Sequence, residues 1–220
     1  MYEIVSIITY LPILYILERG LHVLIQNTNF PREKAMEFTT KMISVIHSMG
    51  VSYGSMRYLL GYTSLEKFKN YTNFTLGYLL FDMIIQIINY KKFRGRIREN
   101  LLHHVLLYIL VMYAKNNFML RLYALGILCE LTNIPLYLGW YLIQIRKQHT
   151  IYFKINGIML LFTFYVLRIV NFGYISYRTI TILPLKTVII FNIIYGLNIY
   201  WFVLLGNKFK QSIYHNEKIE

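Results

Sequence analysis

An all-α integral membrane protein with about seven transmembrane helices is the fold class this sequence predicts, and three observations predict it. Hydrophobic residues make up 56% of the 220 residues and aromatic residues 17%, too apolar for a water-soluble domain that must cover itself in charge. Apolar runs near the roughly 20 residues a spanning helix needs recur along the chain with only short polar interruptions. The only aspartate, Asp82, sits inside the apolar run 74–89. An acidic side chain at the centre of a spanning helix costs about 2.5 kcal/mol or more, and so marks a functional site that needs a partner.

Reading apolar runs against breakers places helices over 4–25, 39–60, 72–90, 100–115, 118–145, 151–177 and 183–206. The first is interrupted by Glu18, Arg19 and His22, and the fourth is short for a full crossing. The fifth contains Pro135, whose missing N–H and bulky ring predict a kink and a freed carbonyl. The start Met1-Tyr2-Glu3 has no basic region and no small-residue cleavage site, so the first run is expected to be a retained helix. Residues 1–30 then form an N-terminal transmembrane helix, 31–210 a single six-helix domain, and 211–220 a short cytoplasmic tail. The sequons Asn70-Tyr71-Thr72 and Asn73-Phe74-Thr75 lie at an expected helix start, where glycosylation is not expected.

A net charge of +13 in a soluble protein would point to nucleic acid, but a spanning protein collects lysine and arginine on its cytoplasmic loops. No nucleic-acid partner is expected. Fifteen basic residues fall on the side that follows the first, third, fifth and seventh helices, against seven on the other, which puts the C-terminus in the cytoplasm. The densest group is Lys91, Lys92, Arg94, Arg96 and Arg98, a topogenic and anionic-lipid contact in its simplest reading. Its sharper reading is a landing site for the phosphates of acyl-CoA. With Cys129 as the single cysteine, neither an intramolecular disulfide nor a metal-thiolate cluster can form.

This topology puts several polar residues at comparable depth. Asp82 lies eight residues before the cytoplasmic end of the third helix, about 12 Å inside. His47 on the second helix and Asn198 on the seventh lie at a similar depth, and Asn133 on the fifth is a little deeper. His103 and His104 are shallower, while Glu130 and Arg168 lie nearer the midplane. Facing lipid, each would be unfavourable, so one cavity open to the cytosol is expected to collect them. Asp82 is placed to orient His47 or one of the tandem histidines as a base, and Glu130 with Arg168 is a second pair. Adjacent helical residues point about 100° apart, so only one of His103 and His104 faces a cavity centre.

Each residue also has a structural alternative. Asp82 serves equally as interhelical polar glue, His103 and His104 as interfacial side chains, and Asn133 and Asn198 as partners of a kinked backbone. No HxxxH or ExxH spacing supports a metal site at His47 and Asp82, so no metal is expected.

In this order, Ser44-Val45-Ile46-His47-Ser48, Gly77-Tyr78-Leu79-Leu80-Phe81-Asp82, His103-His104-Val105, Glu130-Leu131-Thr132-Asn133-Ile134-Pro135, Arg168 and Asn198-Ile199-Tyr200-Trp201-Phe202 resemble the TLC (TRAM/Lag1-homology) domain. The resemblance covers the chain from the second helix onward. It implies six helices in a barrel-like bundle, here with an extra N-terminal helix, around a lipid-accessible cavity, in the endoplasmic reticulum or another endomembrane. The ceramide synthases of that family join a sphingoid amine to an acyl-CoA and depend on a tandem histidine like His103-His104. They carry a His-Asp pair where this chain has Cys129-Glu130 followed by Leu131-Thr132-Asn133, a form that resembles the non-synthase TLC-domain proteins linked to membrane lipid composition.

The expectation is therefore a protein of lipid metabolism or lipid homeostasis. His103, His104 and Asp82 are its catalytic candidates, and His47, Glu130, Asn133, Arg168 and Asn198 its substrate-binding candidates. An acyl-CoA-dependent lipid N- or O-acyltransferase is one alternative, with acyl-CoA as co-substrate and no resident cofactor. A small-molecule transporter is another, though the helices show no inverted repeat. Membrane lipids, acyl-CoA and a second copy of the chain in a homodimer are the partners expected.

Overall fold

In the computed structural model the described residues are 2–26, 30–31, 34–90, 97–113, 117–180 and 182–216, and among them every regular element is helical. The helices are α1 (Tyr2–Gln26), α2 (Ala35–Leu59), α3 (Leu65–Ile88), α4 (Ile97–Tyr113), α5 (Asn117–Ile127), α6 (Asn133–Gln144), α7 (Ile151–Phe164), α8 (Asn171–Ile180) and α9 (Leu185–Asn216). A 3₁₀ turn, Leu128–Thr132, links α5 to α6, and a π-helical turn, Tyr165–Val170, links α7 to α8. The chain divides into two compact units, Met1–Leu128 and Cys129–Glu220.

Each expected run holds a helix or a broken pair of helices. Four stretches are long and apolar enough to span a bilayer: Leu65–Ile88, Phe118–Gln144, Ile151–Ile180 and Leu185–Gln211. Helix α4 falls short at 17 residues. In α2, Lys41, His47, Arg57 and four serines dilute the apolar content. Lipid is the natural neighbour of the outer faces, which expose Ile46, Met49, Tyr53 and Met56 on α2 and Ile189, Ile193 and Val203 on α9.

The helix ends follow local chemistry. Helix α2 stops where Gly61 takes φ +81°, with the Gly61 N–H donating to the Tyr58 carbonyl at 3.1 Å and that of Tyr62 to Arg57 at 2.8 Å. This is a Schellman stop, which glycine enters without strain. Ser64 then opens α3, its Oγ accepting from the Lys67 N–H at 3.4 Å. The cap starts α3 seven residues ahead of the expected position, so Asn70 and Asn73 of the sequons lie inside a helix.

In the unit Met1–Leu128, α1, α2 and α3 pack on one another, α4 packs on α3, and α5 packs on α2. Leu14, Ile43, Tyr78, Leu79, Phe81 and Ile85 form its core. The buried stripe of α2 is small and hydroxylic, with Ser44, Ser48, Ser52, Gly54 and Ser55, and such residues let membrane helices approach closely. Nearer its start, Thr39 donates to the Ala35 carbonyl at 2.9 Å and Thr40 to that of Met36 at 3.0 Å.

In the unit Cys129–Glu220, α6 packs on α7 while the π turn contacts α7, α8 and α9. The expected break at Pro135 takes the form of the 3₁₀ turn directly ahead of α6. Proline offers no N–H to the carbonyl four residues back and its ring crowds that carbonyl, so the preceding turn tightens. Asn156 of α7 donates Nδ2 to the Pro135 carbonyl at 2.8 Å, holding α7 against the break.

A Cβ at Gly54 would come within 2.6 Å of the Tyr71 ring, whereas one at Gly50, a turn away, meets nothing within 4 Å. Gly54→Ala should lower the melting temperature of the detergent-solubilised protein, by overpacking worth about 1–3 kcal/mol. Gly50→Ala should leave it equal or raised, since alanine favours the helix by roughly 0.5–1 kcal/mol.

Candidate functional site

The eight candidate residues fall four to each unit. His47, Asp82, His103 and His104 belong to Met1–Leu128, and Glu130, Asn133, Arg168 and Asn198 to Cys129–Glu220.

Asp82 is buried on α3 at 4% exposure. Its Oδ2 lies 3.1 Å from His104 Nδ1 and accepts a hydrogen bond from Gln86 Nε2, one turn further along α3. The histidine that Asp82 selects is therefore His104. With Nδ1 turned to the carboxylate, Nε2 is the nitrogen left for chemistry. The side chain of His104 is 16% exposed against 6% for Asp82, so the pair has a buried orienting end and a reachable basic end. His103, buried on the next position of α4, sits with its ring centroid 5.8 Å from that of His104.

His47 stands apart from the carboxylate. Its ring stacks on Tyr78 of α3, with centroids 3.9 Å apart and planes 13° from parallel, and packs on Phe74 at 5.5 Å. It is 1% exposed, and neither ring nitrogen has a hydrogen-bond partner among the described residues. A buried polar group in that condition is uncommon in folded proteins.

The second set is organised by Arg168, buried at 6% exposure within the π turn. Its Nε donates to Thr132 Oγ1 at 2.7 Å, Nη1 to Asn198 Oδ1 at 3.2 Å and Nη2 to Asn133 Oδ1 at 3.3 Å. The Phe164 ring lies under the guanidinium at 5.3 Å, a cation–π contact. Asn133 passes the network on, donating Nδ2 to Glu130 Oε2 at 2.7 Å. Glu130 and Arg168 are thus joined through Asn133, where the sequence pointed to a direct pair. Thr132 gives its own proton to the Cys129 carbonyl at 2.7 Å, which leaves its lone pairs for Arg168. Cys129 donates Sγ–H to the Leu167 carbonyl at 2.7 Å and is a packed structural thiol.

Sequence reasoning missed Gln86, Tyr78, Thr132 and Phe164 as partners in these sets. Gln86 was legible as the residue one turn after Asp82 on the same face. Thr132 was quoted only as part of a motif. Of the basic stretch 91–98, only Ile97 and Arg98 are among the described residues.

Loss of the Arg168 network has a measurable consequence for stability. Thr132→Val removes the acceptor of Nε and should cost about 1–3 kcal/mol, while Thr132→Ser should recover most of it. Arg168→Ala strands three acceptors and should cost more. Thermal unfolding in detergent, read by intrinsic fluorescence, checks the ranking.

A family model described as TLC domain matches residues 32–206, from just ahead of α2 to within α9. No curated protein matches the chain. No solved structure matches it either.

Proposed function

Because the chain belongs to the TLC-domain family, a multi-pass membrane family, we propose that it binds a membrane lipid in a cytosol-facing pocket within the unit Met1–Leu128, and that Asp82 and His104 act on that lipid. The observation that carries this reading is the 3.1 Å approach of His104 Nδ1 to the buried Asp82 carboxylate. That approach supports reading the pair as a base and its orienter.

Acyl transfer is the chemistry that suits the pair. The hydroxyl or amine of an acceptor lipid gives its proton to His104 Nε2 as its oxygen or nitrogen bonds to the carbonyl carbon of an acyl thioester. The carbon–sulfur bond then breaks, and the leaving thiolate takes the proton back from the imidazolium. Asp82 stabilises the imidazolium in between, and Gln86 holds the carboxylate in place. His103 lies beside the acceptor. The basic residues Lys91, Lys92, Arg94, Arg96 and Arg98 attract the phosphates of an acyl-CoA. We propose an endoplasmic reticulum or related endomembrane location from the family resemblance, and a cytosolic C-terminus from the distribution of basic residues.

Overexpression should shift the profile of acylated lipids, and His104→Ala should abolish that shift with membrane-inserted protein unchanged. Asp82→Asn should reduce the shift by about a hundredfold, within the range of general-base contributions, and His103→Ala should reduce it less. Lipid mass spectrometry of membranes with matched protein levels reads all three. An undiminished shift in both His104→Ala and Asp82→Asn would remove the catalytic role.

A further inference from the structure

A third acidic position belongs to this unit and lies outside the matched family span. Glu18 is on α1, is 1% exposed, and its Oε1 has no hydrogen-bond partner among the described residues. Its Oε2 lies 3.6 Å from Arg19 Nε, but that guanidinium is turned outward, donating to Tyr15 OH at 3.1 Å with its side chain 55% exposed.

The helix register shows where Glu18 sits. Contacts advance together along α1 and α3, so the two run in the same direction. Tyr10 of α1 meets Phe74 of α3 edge-on, with centroids 5.2 Å apart, and Leu14 shares a core cluster with Tyr78. Continuing both helices by one turn brings Glu18 to the level of Asp82. Leu14 and Leu21 flank Glu18 on that face and pack into the same core as Ile43, Phe81 and Ile85, so Glu18 points inward. His47 lies a turn away, stacked on Tyr78 with both nitrogens unpartnered.

Three polar atoms with unmet hydrogen-bonding capacity, Glu18 Oε1 and the two ring nitrogens of His47, therefore lie within about two turns of helix of the Asp82–His104 pair. A buried carboxylate without a donor is strongly unfavourable, and a ligand that supplies the donor relieves it. We infer that Glu18 is a headgroup-binding residue of the lipid site, accepting a hydrogen bond from the hydroxyl or protonated amine of the acceptor lipid. His47 supplies the second contact of that headgroup. The inference rests on the lipid reading above and adds α1 to the site.

The test uses the full chain in phosphatidylcholine nanodiscs with a diazirine-bearing C18 chain ending in hydroxyl, ammonium or methyl ether. The ether accepts hydrogen bonds and cannot donate one. Wild-type protein should be photolabelled by the hydroxyl form about tenfold more than by the ether, the ratio one charge-assisted hydrogen bond supplies, and by the ammonium form more than by the hydroxyl form. Glu18→Met should lose that preference while its melting temperature without probe stays equal or rises, because a buried carboxyl with an unpartnered oxygen has gone. Glu18→Gln should keep labelling by the hydroxyl form and lose the excess of ammonium over hydroxyl.

A donor preference that survives in Glu18→Met overturns the assignment, and so does a full ammonium excess in Glu18→Gln should the methionine variant not fold. Equal labelling of wild type by all three forms overturns the role of Glu18 and leaves a lipid site in place. No labelling of wild type above empty nanodiscs overturns the lipid reading itself.

Discussion

A polar side chain enclosed by apolar helices cannot turn to water, and that constraint organises both units of this protein. Each such group must find its donor or acceptor on another helix, or one turn away on its own. Arg168 shows the consequence most fully. It reaches the 3₁₀ turn at Thr132, α6 at Asn133 and α9 at Asn198 through three different nitrogens, so those elements have one mutual arrangement in which the guanidinium is satisfied. A lysine in its place is a point charge on a flexible stem and lacks the planar fork that addresses three acceptors at once.

The backbone irregularities follow from the same demand. Pro135 forces the turn before α6 into 3₁₀ geometry, and that turn carries Glu130 and Thr132. Another helix is tied to the break, where Asn156 donates to the Pro135 carbonyl. On the long span that follows, Arg168 lies in a π turn. The wider turn shifts the residues beyond it around the helix axis, and such bulges recur where a side chain has a specific task. The two departures from α geometry thus carry Arg168 and Thr132, the acceptor of its Nε.

The sequence revealed the fold through its solvent. Apolar runs of spanning length, separated by Gly61, by the basic stretch after α3 and by the turn at Arg146, mark the helices to within a few residues. The start of α3 lies seven residues ahead of the expected one, because the Ser64 cap opens the helix within the polar run 64–73, and α9 runs ten residues past its expected end. Site residues were legible to the extent that polarity itself was anomalous: Asp82 and Arg168 stand out in apolar runs, and both became centres of networks. Pairings were less legible, because they depend on rotation about helix axes. A depth estimate could not choose among His47, His103 and His104 for Asp82, nor foresee Asn133 between Glu130 and Arg168. Glu18 was read as an interruption of a helix, since a charge near a run's end resembles a boundary until a neighbouring helix fixes its register.

The two polar clusters differ in a way that separates framework from site. Around Arg168 the acceptors are neutral, each has its donor, and the bonds run through helix backbones and short side chains. Such a network defines a structure and gains nothing by changing. Around Asp82 the carboxylate is engaged with Gln86 and His104, while within two turns His47 and Glu18 are buried with unmet capacity. A fold that needed these residues only for cohesion would be better served by apolar side chains of the same size, because replacing buried charge with well-packed hydrocarbon is neutral or stabilising. The lipid site proposed above would meet that unmet capacity, since a lipid brings its own donors and acceptors together with an apolar body suited to a bilayer.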